Sequence, residues 1–253
     1  MRHFFTILSQ EIRTLLYNAS TYIAAVLFLL VMAFFFLVIL RDYTTAPQET
    51  PPAADFFRIY FIPVFFMVPL LTMRSLAEER RLGTLETLLT TPVSTAEVVL
   101  GKFFAAYLLY ICLWGSTLGF HYVLFHYARD ARLLDPGLLI GGYLFIAVSG
   151  LLFVAIGIFA SSLTRSQSVA GILSCVMLMM LILGLGYISS LPILQRDILH
   201  PARNALESLQ INQHLEDFRQ GVVDTRQIIF YLSGATLALI FSILGVEAKL
   251  LHG

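Results

Sequence analysis

The chain has 253 residues, of which 58% are hydrophobic and 13% are charged. Soluble domains contain about 45–50% apolar and about 25% charged residues, so this composition excludes an ordinary water-soluble fold. Sixteen lysines and arginines balance sixteen aspartates and glutamates, and without a basic surplus nucleic acid is excluded as a partner, because nucleic-acid binding depends on cations that neutralise phosphates.

The first twenty residues predict an amphipathic helix. Phe4, Leu8, Ile12 and Leu15 recur at helical spacing, and polar side chains occupy other sides of the same helix. A helix with one apolar stripe suits the boundary between membrane and water. We therefore expect residues 1–20 to lie in the membrane interface.

Six long stretches with few charges predict six transmembrane helices. A helix needs about 20 mostly apolar residues to cross the hydrocarbon layer of a membrane. The predicted spans cover about residues 21–40, 56–76, 98–121, 138–161, 168–190 and 227–246. The predicted fold class is therefore all-α, a polytopic membrane protein with residues 1–253 in a single transmembrane domain.

An even number of spans places both chain termini on one side of the membrane. Lysines and arginines are shared equally between the two sides, and favour the side of the termini only when the long loop 191–226 is left out. Because positive charge in short loops marks the cytoplasmic side, this distribution favours cytoplasmic termini. Residues 191–226 then form an extracytoplasmic loop.

The loop at residues 77–94 is dense in charge where the rest of the chain has little. Leu82, Leu85 and Leu89 recur at helical spacing, which predicts a short amphipathic helix, and Pro92 ends it. Ser94 and Glu97 then form the pattern of a capping box that begins the third span. On this pattern alone, the loop is either a solvated connection or a helix that docks onto a partner.

Two further patterns concern helix packing. Ile211, Leu215, Phe218 and Val222 predict an amphipathic helix on the outer membrane surface. Glycine pairs four residues apart allow close approach of helices in lipid. Such pairs occur at Gly115 with Gly119 and at Gly137 with Gly141.

The charged loop resembles the cytoplasmic loop of ABC-2 type permeases, which precedes their third span. The residues that fit are Glu78, Arg81, Gly83, Thr84, Leu85, Glu86, Leu88, Leu89 and Pro92. A second stretch, at the end of span four, is similar to the same family in Gly157, Ser161, Ser162, Leu163, Thr164, Gln167 and Ala170. A third is residues 218–224, just before the last span. The loop is most similar to the gliding-motility branch of these permeases.

This resemblance implies the transmembrane subunit of an ATP-binding cassette exporter in the bacterial cytoplasmic membrane, with both termini cytoplasmic. Its implied partners are cytoplasmic ATPase subunits and a second permease, either another copy or a homologue. The residues implied to couple to the ATPase are Glu78, Arg81, Leu82, Gly83, Thr84, Leu85, Glu86 and Leu89. Those of the cytoplasmic turn after span four are Ser161, Ser162, Thr164 and Gln167.

No nucleotide-binding loop is present in the sequence. Gly101-Lys102 is the only Gly-Lys pair, and Phe103 follows it where a serine or threonine is required. We therefore expect a subunit that is not an enzyme and binds no cofactor directly, with ATP and Mg on the partner. The alternative is an intramembrane enzyme or ion-coupled transporter without an ATPase, although acidic residues for ion relays are nearly absent from the spans.

Overall fold

A computed structural model describes residues 2–45, 51–84, 93–127, 135–189 and 208–251. These residues form helices and turns, with no strand among them. In chain order the helices are α1 (Arg2–Tyr17), α2 (Ala19–Thr45), α3 (Pro52–Arg58), α4 (Phe61–Thr72), α5 (Ala77–Leu82), α6 (Thr95–Ser116), α7 (Leu118–Tyr127), α8 (Pro136–Leu163), α9 (Gln167–Met179), α10 (Leu185–Ser189), α11 (Ile211–Arg219) and α12 (Thr225–Leu251). A π-helical segment, Met180–Gly184, joins α9 to α10.

Six stretches are long and apolar enough to cross a membrane. They are α2, α4 with α5, α6 with α7, α8, α9 with α10, and α12. The prediction of six spans is therefore confirmed. Because consecutive spans alternate in direction, α5 and the turn between α8 and α9 lie at one end of the bundle, called the α5 end. The helices α3 and α11 lie at the opposite end, called the α11 end.

The second span is divided where the sequence predicts one helix over 56–76. The helix α3 ends at Arg58 and α4 begins at Phe61, with a turn in which the amide of Tyr60 donates to the carbonyl of Phe57 at 3.1 Å. Pro63 favours the break, because its ring would clash with the carbonyl of Ile59 in a continuous helix, although Pro69 is accommodated inside α4. A second turn after Thr72 separates α4 from α5.

Three hydroxyl groups connect the second, third and fourth spans inside the bundle. The Tyr60 oxygen lies 2.6 Å from that of Tyr110 and 2.7 Å from that of Ser149, and all three side chains are buried. Ser149 in turn donates to the carbonyl of Phe145 at 2.7 Å. Between helices in a membrane such hydrogen bonds replace the hydrophobic driving force, which lipid cannot supply.

The amphipathic helix predicted around residues 211–222 is present as α11, but it ends at Arg219. Its apolar residues Ile211, Leu215 and Phe218 are buried, and α11 packs against α8. Val222 lies beyond the helix and is 56% exposed. The apolar stripe of α11 therefore covers the start of span four, and the helix ends before Val222, the last residue of the predicted pattern.

The close approach of α11 to α8 occurs at a glycine. A Cβ at Gly141 would collide with the carbonyl oxygen of Phe218. By contrast, a Cβ at Gly115 or Gly119 would meet no described atom within 4 Å. Of the two predicted glycine pairs, only the one that contains Gly141 makes a close helix contact within the described part of the chain.

Candidate functional site

The helix α5 carries the start of the charged loop. Glu78 and Glu79 lie in its first turn and Arg80 and Arg81 in its last, which is the arrangement favoured by the helix dipole. Gly83 ends the helix, because it adopts a φ of 71° and its amide donates back to the Glu79 carbonyl. The helix α5 is thus six residues long, and Thr84 after the turn is helical again.

The predicted leucine stripe is divided by this break. Leu82 is the last residue of α5, and Gly83 turns the chain away from the helix axis. Leu85, Glu86 and Leu89 fall outside the described residues. The prediction of one continuous helix from Leu82 to Leu89 is therefore wrong, because the helix that contains Leu82 ends there. The docking of these leucines onto a partner remains a prediction.

The predicted coupling residues that are described form an exposed surface. Leu82 is 61% exposed, the Arg81 side chain is 59% exposed, and Glu78 lies 4.0 Å from this arginine. Thr84 is also exposed.

The opposite side of α5 is attached to the fourth span. The Ser161 hydroxyl oxygen accepts hydrogen bonds from the amides of Leu76 and Ala77, both at 3.0 Å. These amides begin α5 and have no partner within the helix, and no side chain of α5 caps them. Span four therefore supplies the cap that the loop helix lacks.

Arg80 connects α5 to the ends of two spans. Its guanidinium donates to the carbonyl of Ser162 on α8 and, at 2.8 Å, to the carbonyl of Gly245 on α12. The structure thus brings Ser161 and Ser162 of the predicted turn to α5. The other two residues shape the turn itself: Thr164 accepts from the Ser166 amide at 3.1 Å, and Gln167 begins α9.

A buried lysine connects α5 to the third span and to the N-terminal helix. The Lys102 ammonium lies 2.6 Å from a carboxylate oxygen of Glu11 and 2.7 Å from one of Glu79. The lysine side chain is 3% exposed. This cluster joins α5 and α6, which follow each other in the chain, to α1, whose Glu11 is 91 positions from Lys102.

Sequence reasoning missed this cluster, although one signal was available. In the sequence, Lys102 stands out only as part of an incomplete nucleotide-binding motif. A charge near the end of an apolar span is costly and is normally paired, which marks Lys102 as a residue in need of carboxylate partners. The sequence gives no reason to select Glu11 and Glu79 from the other acids.

A cavity of about 210 Å³ lies beside the cluster, between α1, α4, α5 and α6. Its polar lining residues include Gln10, Thr14, Asn18, Arg74, Ser75 and Glu78. Arg74 donates to the Asn18 side chain at 2.9 Å, which attaches the start of α2 to the end of α4. The cavity leaves open space beside the ion pairs of Lys102.

Almost the whole of this arrangement lies in a region of the chain that matches a known protein family. A family model described as ABC-2 family transporter protein matches residues 5–247. The match includes α5, the three spans attached to it and nearly all of α1. No curated protein matches the chain.

Proposed function

Because the chain belongs to the ABC-2 transporter family, and is thus a membrane permease of an ABC transporter, we propose that α5 and its loop couple this permease to a cytoplasmic ATPase. The observation that carries the proposal is the attachment of α5 to three spans, through Lys102, Ser161 and Arg80. A force applied to the exposed side of α5 would reach all three.

In this proposal ATP and Mg belong to the partner. Lys102, the only lysine preceded by glycine, is occupied by two carboxylates and is buried, which supports the view that it does not contact a phosphate. The proposed location is the bacterial cytoplasmic membrane, with both termini and α5 on the cytoplasmic side. The proposed direction of transport is export, as in the gliding-motility branch that the loop resembles.

We also propose a second permease in the assembly, either another copy of this chain or a homologue. The outer surfaces of α9 and α12 expose large apolar side chains, as α2 also does and as lipid contact requires; the support for a second permease is the apolar groove between α8, α9 and α12, in which another helix could pack. Native mass spectrometry of the complex purified from its own membranes should show two permease subunits. An active assembly with one permease would contradict this part of the proposal.

Co-purification of the ATPase tests the coupling role of α5. The chain is purified from its native membranes as wild type and as Leu82→Asp, Leu85→Asp and Glu86→Ala, and associated ATPases are identified by mass spectrometry. A carboxylate buried without a partner in an apolar contact is costly, so each aspartate variant should lose about tenfold or more of the bound ATPase. Glu86→Ala should lose less, since it introduces no charge into the contact and a surface ion pair contributes under about 1 kcal/mol.

Val222→Asp is the matched control, because Val222 is 56% exposed, close to the 61% of Leu82, and lies at the opposite end of the bundle. It should retain the ATPase fully. If Leu82→Asp and Leu85→Asp both retain as much ATPase as wild type, the loop is a simple connection between two spans. Absence of any ATPase from the wild-type preparation would instead favour an ATPase-independent membrane protein.

A further inference from the structure

We infer that Lys102 is a positioning residue that holds α1 and α5 together at the end of span three, so that the two helices move as one unit. The transport role of this unit rests on the function proposed above. The unit itself is a property of this chain, and it can be tested without a partner.

The charges make the lysine indispensable to this contact. Glu11 comes from α1 and Glu79 from α5, and their side chains are 19% and 25% exposed. Water and salt therefore screen them only in part. Without the ammonium between them, two carboxylates would lie close together beside the cavity, and either their repulsion or the proton that one of them takes up would weaken the contact between α1 and α5.

The neighbouring residue fixes the position of α1 along span three. A Cβ at Gly101 would lie 2.7 Å from a methyl group of Ile7, so the glycine allows α1 to approach α6 closely. Gly101 and Lys102 thus supply a close backbone contact and an ionic contact in succession. Together they oppose both sliding of α1 along α6 and separation of the two helices.

This arrangement extends the reach of α5 to the first span. The helix α1 ends at Tyr17 and α2 begins at Ala19, and Asn18 between them accepts a hydrogen bond from Arg74. A displacement of α5 that carries α1 with it therefore also acts on the start of span one. The N-terminal helix becomes a moving part of the mechanism instead of a passive membrane anchor.

Distance measurements between spin labels on the chain in nanodiscs test the inference. Labels are placed at Ser9 on α1 and at Thr84 after α5, both exposed, with Cys112 and Cys175 replaced by alanine. The wild-type distance distribution should be narrow. Lys102→Met keeps an unbranched side chain without the charge and should widen the distribution by at least about twofold through local opening of the contact.

Arg13→Met is the matched control, since it removes an exposed cation from α1, the helix that carries the label at Ser9, and it should keep the wild-type distribution. Lys102→Arg should restore a distribution close to that of wild type, because the adjacent cavity of about 210 Å³ leaves room for the larger cation. Glu11→Gln retains the pair between Lys102 and Glu79 and should widen the distribution less than Lys102→Met. If Lys102→Met fails to fold, Glu11→Gln alone decides the question.

The inference is overturned if every variant that folds, among Lys102→Met and Glu11→Gln, shows the wild-type distribution of distances.

The ATPase preparation described above separates this inference from the proposed function. Lys102→Met should retain the bound ATPase, because the exposed residues of α5 are unchanged, and should lose several-fold of the ATP hydrolysis that the permease stimulates. Full stimulation with a retained ATPase would contradict the positioning role. If wild type carries no ATPase, the proposed function fails, and the label distances still decide whether Lys102 holds α1 and α5 together.

Discussion

The hydroxyl oxygen of Ser161 lies 3.0 Å from the backbone nitrogen of Ala77, so the last turn of the fourth span caps the first turn of α5. The two residues are 84 positions apart in the sequence. Both side chains are fully buried. Separation of α5 from span four would therefore leave backbone amides without a partner in a site where water cannot replace the hydroxyl.

Removal of this cap should destabilise the protein. Ser161→Ala leaves the amides of Leu76 and Ala77 without their acceptor, and an unsatisfied buried polar group costs about 1–3 kcal/mol. We expect a lower unfolding temperature in detergent. Ser166→Ala is the control, because Ser166 precedes α9 without a side-chain cap bond and should have little effect. Equal unfolding temperatures for Ser161→Ala and wild type would show that the cap contributes no stability.

Substitution of Gly141 should weaken the attachment of α11 to span four. In Gly141→Ala the new methyl group meets the carbonyl oxygen of Phe218. The backbone must shift to remove this clash, which lowers the free energy of unfolding by about 1–3 kcal/mol. The measurement is the unfolding temperature together with thiol labelling of a cysteine at Leu215, which is 4% exposed in the native chain. Labelling should become faster. Gly119→Ala, which enters open space, should leave both measurements unchanged, and identical behaviour of the two variants would contradict the close contact.

His214 on α11 should make stability depend on pH. Its Nε2 donates to the Ser208 carbonyl at 2.9 Å, and its Nδ1 accepts from the Tyr231 hydroxyl at 3.1 Å. Burial lowers the pKa of His214, and this effect outweighs the opposing influence of the Ser208 carbonyl, Asp217 and Asp224.

The direction of this dependence follows from the pKa. The unfolded chain, with a histidine pKa of about 6.5, binds the proton more readily than the folded chain does. The neutral, buried His214 therefore contributes fully to the free energy of unfolding above a pH of about 6.5, and this contribution is lost as the pH falls below that value. His214→Gln should show a smaller fall in unfolding temperature between neutral and mildly acidic pH than wild type shows, whereas His126→Gln, at an exposed position, should follow wild type. A wild-type slope in His214→Gln would contradict the prediction.

The orientation in the membrane is tested by labelling of intact cells. Thr84→Cys and Val222→Cys place exposed thiols at the α5 end and the α11 end, in a chain that lacks Cys112 and Cys175. With α5 in the cytoplasm, a membrane-impermeant reagent should label the cysteine at position 222 and reach the one at position 84 only after the cells are opened. The reverse pattern would place α5 outside and remove the proposed contact with the ATPase.

Several local features could be predicted from the sequence because their causes lie within a few residues. The Ser94 hydroxyl accepts from the Glu97 amide and the Glu97 carboxylate accepts from the Ser94 amide, so the predicted capping box is confirmed. The apolar face of α11 also follows from spacing alone. The break at Tyr60 could not be predicted from Pro63 alone, because Pro69 lies inside α4 without ending the helix.

The number of spans was determined by the sequence, because a chain in hydrocarbon must satisfy its backbone within each helix and therefore needs about 20 consecutive apolar residues. Only the tertiary structure decided what α5 contacts. Lys102 pairs with Glu79 across 23 positions and with Glu11 across 91, and Ser161 caps α5 from another span. Such partners are selected by the packing of distant helices, because ionic and hydrogen bonds between them depend on the distance between atoms in space and leave no periodic pattern along the chain.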